Sequence, residues 1–384
     1  MIEMSRQLDK FCMNKLGGKI DTTAKAPRHL QVKTRLLSLI QQGKYQPGDR
    51  IPGEPEIAEL LGVSRMTVNR AVLSLVGEGW LRREQGSGTY VSDRPEERTI
   101  RRVAAIIGYE TEGALADHYY GTLYWSLHKA FDEKQIGLDP IWYSNHEDMP
   151  RLKASHADAV IAISPHENVI DDLIEMRRTG VPVVILGASW RYAGIDVIDS
   201  DNRLGAALAV NHLVDLGHKH IGFLGAVPTD SNTIDRLNGF RSAIKARRLT
   251  VDESAVFMCD FSFEIDPETS RQIVNLLKSD SRPTAFFAAG AKLAMILFGM
   301  AHGLGLNVPN DLSVIAYDDP EWLRLSVPPL TTVRQPLEAM AKAAADTVIE
   351  SLRTGDPRSS MRLFDPIFIT RASTARVPKK SKSL

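Results

Sequence analysis

Cysteine is almost missing: Cys12 and Cys259 are the only two in 384 residues. That excludes a disulfide framework, and no Cys/His cluster with zinc-ligand spacing occurs. A reducing compartment fits such a chain. Long apolar runs are missing too. Nothing reaches the roughly 18 residues of a membrane-spanning helix. The first residues, MIEMSRQLDKFCMNKLGGKI, hold no apolar stretch of signal-peptide length, so a cytoplasmic protein without a membrane partner is expected. There is no excess of charge: Lys plus Arg and Asp plus Glu number 47 each. Nucleic-acid binding, if present, must therefore come from a local patch. Finally, no P-loop, Gly-x-Ser-x-Gly or His-Glu-x-x-His occurs, which argues against an enzyme and against a bound cofactor. The length suits two or three domains.

A local patch is there. The stretch from Gln46 to Val91 reads QPGDRIPGEPEIAELLGVSRMTVNRAVLSLVGEGWLRREQGSGTYV. Pro47-Gly48-Asp49 and Gly62 signal turns. Ser64 stands where a helix N-cap belongs. After it, Val68, Ala71, Val72 and Leu75 recur at helical spacing and form one apolar face. Arg65, Met66, Asn69 and Arg70 fall on the other side, and no acid occurs between Val63 and Gly77. Two short helices and a tight turn, the second helix basic outside, make a helix-turn-helix. Two short strands, Trp80–Glu84 and Thr89–Val91, then flank Gln85-Gly86-Ser87-Gly88, a basic hairpin placed as a wing. Leu30–Gln42 reads as a buttressing helix with Val32, Leu36, Leu39 and Ile40 buried.

From Arg101 the pattern changes. Short apolar runs such as Val103–Ile107, Ala159–Ile163, Val181–Leu186, Ile221–Leu224, Thr284–Phe287 and Leu312–Ala316 alternate with helical stretches such as Gly121–Gln135 and Asn202–Leu216. Continuous apolar strands between helices imply a parallel sheet covered on both faces, an α/β doubly wound architecture.

These residues carry two resemblances. IPGEPEIAELLGVSRMTVNRAV with EGWLRREQGSGTYV resembles the winged-helix domain of GntR-type bacterial regulators, closest to their HutC-like branch. The resemblance implies double-stranded DNA as partner. Arg65, Thr67, Asn69 and Arg70 would lie in or at the major groove with Ser64 and Met66 beside them. The Gly86 wing tip, flanked by Gln85 and Ser87, would meet the minor groove. Gly53-Glu54-Pro55 departs from the Ser-Glu-Arg of many members, so a DNA-contacting arginine is absent. Farther on, Asp201-Asn202-Arg203-Leu204-Gly205, Leu216-Gly217-His218-Lys219-His220-Ile221-Gly222-Phe223-Leu224, Arg236-Leu237-Asn238-Gly239-Phe240, Pro309–Asp319 and Pro328–Gln335 resemble the effector domain of LacI/GalR-type repressors. That implies a periplasmic-binding-protein-like body: two doubly wound lobes, three crossovers, a sugar-type cleft and a homodimer. A GntR head on a LacI-type body is the plan of arabinose-repressor-like regulators.

For the ligand, the resemblance points to Arg236, expected to precede a helix, to Asp318 at the end of a strand, and to Gln335. A planar guanidinium and a carboxylate together complement a polyol. Asp319 is expected to cap or brace the hinge. Two departures count against a simple sugar: Gly290-Ala291 replaces an Asn-Asp of many members, and Gly187 replaces an Asp. Trp190 and Tyr192 either stack on a sugar or cover the cleft edge. Glu110, Asp117, His118 and Tyr119 are candidates to supply polar groups in compensation.

The expected organisation is a loose extension over 1–27 and a winged helix-turn-helix over 28–92. A linker over 93–101, a two-lobed effector and dimerisation body over 102–375, and a basic tail over 376–384 follow. The expected function is a ligand-responsive transcriptional regulator, in the main a repressor, that senses a carbohydrate or related small molecule. A regulator with a non-sugar effector or none is the alternative. An enzyme with an aminotransferase body and a transport module are the competing classes, and neither fits the motifs.

Overall fold

The computed structural model describes residues 19–20, 27–77, 79–84, 86–92, 102–108, 115–143, 145–190, 195–259, 265–354 and 359–377. The expected extension up to residue 18, the linker over 93–101, the tail from 378, Gln85, Glu110 and Tyr192 lie outside the described residues.

The N-terminal unit packs three helices and a hairpin. Helix α1 spans Arg28–Gln41, α2 Glu54–Leu61 and α3 Arg65–Gly77; strands β1 (Leu81–Glu84) and β2 (Gly88–Val91) pair antiparallel, Leu81 opposite Val91. Val32, Leu36 and Leu39 of α1, Ile57 and Leu61 of α2, and Val68, Ala71, Val72 and Leu75 of α3 share one core with Leu81 and Val91. The apolar stripe read from the sequence is thus the face that folds inward. Gly62, at φ +67°, ends α2 in the left-handed region that favours glycine.

The second unit holds two six-stranded sheets. The first lobe orders its strands β4-β3-β5-β6-β7-β13, all parallel: β3 Arg102–Ile107, β4 Gly137–Trp142, β5 Ala159–Ile163, β6 Val183–Leu186, β7 Asp196–Ser200 and β13 Met361–Phe364. The second lobe orders them β9-β8-β10-β11-β12-β14: β8 Ile221–Gly225, β9 Val256–Met258, β10 Ala285–Ala288, β11 Ser313–Tyr317, β12 Thr331–Arg334 and β14 Ile367–Ile369. Only β14 runs antiparallel there, against β12. The chain crosses between sheets three times: after β7, after β12, and between β13 and β14.

Strand residues of the second lobe are buried on both faces. Phe286, Val314 and Ala316 face α9 (Pro267–Lys278) and α10 (Ala291–Gly303). Phe287, Ile315 and Tyr317 face α7 (Asn202–Asp215) and α8 (Ser231–Ala246). That two-sided burial is why these strands read as continuous apolar runs rather than alternating ones. Helices α7 and α8 lie so close that a Cβ on Gly239 would meet the Arg203 carbonyl oxygen at 2.6 Å.

Asp319 follows β11 with its side chain wholly buried, 2.7 Å from the Arg371 guanidinium. Arg371 also donates to the Leu330 carbonyl at 2.8 Å. This ion pair ties the end of β11 to the segment leaving β14, within the second lobe. The more exposed Arg324 stands 3.6 Å from the same carboxylate. Removing one partner of a buried pair leaves an uncompensated charge. Arg371→Ala should cost about 3–5 kcal/mol in urea unfolding of the full chain, whereas Arg324→Ala should stay within about 1 kcal/mol.

Candidate effector cavity and nucleic-acid interface

The outer face of α3 begins at Ser64. Its Oγ accepts from the Thr67 backbone N–H at 3.2 Å and lies 2.8 Å from the Thr67 hydroxyl, so both side chains serve the helix start. Arg65, Met66 and Arg70 are exposed, and Met66 is 81% exposed. A thioether that open to water has no place in the core of the unit. Asn69 is half-buried, and its amide nitrogen donates to Glu54, at 3.0 and 3.1 Å from the two carboxylate oxygens. Glu54 also pairs with Arg83 of the wing. An acid from α2 therefore sits against a helix that has none of its own. At the wing, Gly86 (φ +77°) and Ser87 are exposed, and the Ser87 hydroxyl lies 2.6 Å from the Tyr90 hydroxyl.

A cavity of about 380 Å³ lies between the two lobes of the second unit. Arg236 and Asp318 both line it. Arg236 does not precede its helix. Asp230 caps α8 by accepting from the Thr233 N–H at 3.0 Å, which starts the helix at Ser231 and puts Arg236 in its second turn. Arg236 is 7% exposed. Its Nε donates to Asn202 Oδ1 at 2.8 Å, one terminal nitrogen donates to the Ala289 carbonyl at 2.9 Å, and its plane lies 3.8 Å from the centre of the Tyr317 ring. No carboxylate pairs with it among the described residues, so Arg236 and Asp318 are not a structural ion pair. Asp318 stands in the left-handed region, φ +70°, just past β11. Its Oδ1 accepts from Gln335 Nε2 at 2.7 Å. Burial raises its carboxyl above the usual range, against the opposing pull of Arg236.

Gln335 itself is buried and does not line the cavity; it positions Asp318 from behind. Trp190 is a correction. Its indole packs into the first-lobe core and donates to the Pro165 carbonyl at 2.8 Å, away from the cavity lining. A bulky ring with one polar atom is satisfied better there than at a wet cleft edge. The aromatic that does line the cavity from the second lobe is Trp322, with Lys292 nearby in the lining. Sequence reading missed both, since neither sits in a motif. Asp117, His118 and Tyr119 do line it. Asp117 caps α4 (His118–Asp132) through the Tyr119 N–H and reaches Lys292 across the cleft at 3.3 Å.

Gly187 proves to be more than a missing side chain. Its carbonyl accepts from Tyr119 Oη at 3.1 Å, Ser164 Oγ at 3.0 Å and Asn232 Nδ2 at 2.8 Å. A Cβ there would meet the Tyr119 hydroxyl at 2.1 Å, and φ is +80°. Tyr119 has taken the space that a longer residue 187 would fill. Asn232 continues the network to Asn202, at 3.1 Å, and Asn202 lies 3.2 Å from Asp199 Oδ2. Asp199, at the end of β7, is fully buried, and burial pushes its carboxyl up to about 8. The Ser200 N–H and the Arg236 charge pull the other way.

A winged helix with exposed arginines in the same chain as a two-lobed body with an interlobe cavity defines a class of protein, the DNA-binding transcriptional regulator. Residues 28–91 match the bacterial regulatory proteins, gntR family, and residues 210–374 match the periplasmic binding protein-like domain. The arabinose metabolism transcriptional repressor of Geobacillus stearothermophilus is 28% identical over 370 residues, 91% of this chain and 98% of that protein. Its counterpart in Halalkalibacterium halodurans is 26% identical over 369 residues, 90% of this chain and 96% of that one. Among solved structures, a transcriptional regulator CelR–cellobiose complex aligns with a TM-score of 0.64 at 21% identity, covering 84% of this chain and 99% of that one. The chain thus joins a gntR-family DNA-binding head to a periplasmic-binding-protein-like effector domain of the LacI type.

Asp199 generates a pH prediction. Its folded value, about 8, is raised above the unfolded one. Its contribution to stability is therefore full below the unfolded carboxylate value and lost as pH rises through about 8. Asp199→Asn should flatten the decline in thermal stability between pH 5 and 9, on the order of the span between those two values. Equal slopes in mutant and wild type would show that Asp199 is ionised throughout.

Proposed function

We propose that the chain is a ligand-responsive repressor: residues 28–92 bind a palindromic operator as a homodimer, and residues 102–375 sense a sugar or sugar derivative between the lobes. The observation that carries this reading is the buried Arg236 beside Asp318 in an interlobe cavity, in a chain that also bears a winged helix. A guanidinium fork and a carboxylate are the donor and acceptor that neighbouring hydroxyls need. The names of the relatives, which speak of arabinose metabolism, and the cellobiose in the CelR complex support a carbohydrate. Ligand bound between the lobes favours one lobe arrangement and so changes operator affinity, by as much as its affinities for the two states differ. Such a regulator works in the cytoplasm, beside the chromosome. Arg65, Arg70 and the wing around Gly86 contact the operator, with Ser64, Met66, Thr67, Gln85 and Ser87 in support. Asn69 joins them, held by Glu54.

Gly290 and Ala291 line the cavity without polar side chains, and this favours a second reading, an effector that is not a simple sugar.

Arg65→Ala and Arg70→Ala should each leave the melting temperature unchanged, since both are exposed. Each should weaken operator binding by about 1–3 kcal/mol if it reads a base, or lower the salt slope by about one if it meets a phosphate. Fluorescence anisotropy against salt separates the two. Arg236→Lys and Asp318→Asn should keep operator affinity but lose its response to ligand. If operator affinity stays constant while the wild-type cavity is saturated with ligand, the sensing role is wrong.

A further inference from the structure

The N-terminal unit carries a polar cluster outside its core. Glu54 opens α2, with Gly53 before it and Pro55 after it. Its carboxylate stands at the start of a helix, where the free N–H groups favour a negative charge. From there it meets both α3 and the wing. It accepts from the Asn69 amide and pairs with Arg83 of β1. Arg83 offsets the charge, so an acid sits beside the exposed Arg65 and Arg70 without making that face anionic.

The chemistry of the pair fixes how Asn69 is turned. An ionised carboxylate only accepts, so the end of the amide that faces it is the nitrogen. The two Glu54 oxygens lie 3.0 and 3.1 Å from that nitrogen. Two oxygens of one carboxylate are too close together to take both amide hydrogens, which diverge widely, so a single N–H is shared between them. The hydrogen turned away from the amide carbonyl meets an anion with the least repulsion from the carbonyl oxygen. The other N–H and the carbonyl then stand side by side as an open edge. Among the described residues neither has a further partner. Asn69 lies one turn beyond Arg65, between Met66 and Leu73, on the exposed face of α3.

We infer that Asn69 specifies an adenine in each half-site of the operator, and that Glu54 is the positioning residue that presents it. Adenine shows the major groove an acceptor, N7, beside an amino donor, N6, and an amide edge with one donor and one acceptor matches both at once. Guanine shows two acceptors, N7 and O6, and would set O6 against the Asn69 carbonyl. Cytosine shows only its N4 donor and thymine only its O4 acceptor, so each would leave half of the edge unmatched. The inference rests on the operator-binding reading above and adds the base that one position requires.

The test starts by selecting duplexes from a random-sequence library with the full chain and reading the consensus half-site. The wild-type consensus should hold one adenine whose preference disappears in Asn69→Ala and weakens in Glu54→Ala, while the other positions keep theirs. A purely structural role for either residue would weaken binding to all sequences alike. Replacing that adenine by 7-deazaadenine, which lacks the N7 acceptor, should weaken wild-type binding on the order of ten-fold in fluorescence anisotropy and leave Asn69→Ala indifferent. Asn69→Arg should move the preference at the same position from adenine to guanine, a gain that a misfolded variant could not produce. A consensus unchanged by Asn69→Ala, a dependence on another base, or 7-deazaadenine bound as well as adenine would overturn the inference and leave operator binding intact. If the wild-type chain selects no sequence at all, both fall.

Discussion

The second unit is organised around one buried cation. Arg236 is nearly out of contact with water, and among the described residues no carboxylate pairs with it directly. It is held by the Asn202 amide oxygen, the Ala289 carbonyl and the face of Tyr317. Each anchor comes from a different element: the start of α7, the end of β10 and the end of β11. The charge can be tolerated only while these acceptors stay in place, because an unpaired buried charge is far more unfavourable than a paired one. The requirement couples the geometry of the ligand cavity to the integrity of the second lobe. It also couples it to the hinge, since Asn202 stands directly after the first crossover and also reaches Asp199 in the first lobe.

From there a polar thread runs between the lobes. Asn202, Asn232 and the Gly187 carbonyl form successive links, and Tyr119 and Ser164 converge on the same carbonyl. Ser189 adds a bond from its hydroxyl to Asp235 at 2.6 Å. These contacts hold the lobes together by direct hydrogen bonds. A ligand acts on such a cleft through differential affinity: it shifts the balance between lobe arrangements only if one of them binds it better. The lack of a side chain at 187 is structural in origin. The left-handed backbone and the Tyr119 hydroxyl leave no room for one.

The head follows a different economy. Its core is built from one stripe on each of three short helices, and the outward residues of α3 are left to water. Glu54 is the exception. It holds Asn69 and Arg83 together, linking the recognition helix to the wing. An acid beside the exposed Arg65 and Arg70 lowers the local positive potential of that face.

Much of this was legible in the sequence. Apolar spacing exposed the inward faces of α1 and α3, turn glycines marked Gly62 and Gly86, and uniform apolar runs revealed β3, β5, β6, β8, β10 and β11. These are local properties: periodicity and backbone preference act within a few residues. Strands β7 and β13 were not legible. β7 reads Asp-Val-Ile-Asp-Ser: Asp196 is satisfied by a residue far along the chain, Ser360 at 2.9 Å, and Asp199 by Ser200 and Asn202 close by. The sequence also could not say that Trp190 turns into the core, that Trp322 and Lys292 line the cavity, or that Glu54 meets Asn69. Those facts depend on which distant residues arrive at the same place. Long-range packing decides that, and only the tertiary structure contains it.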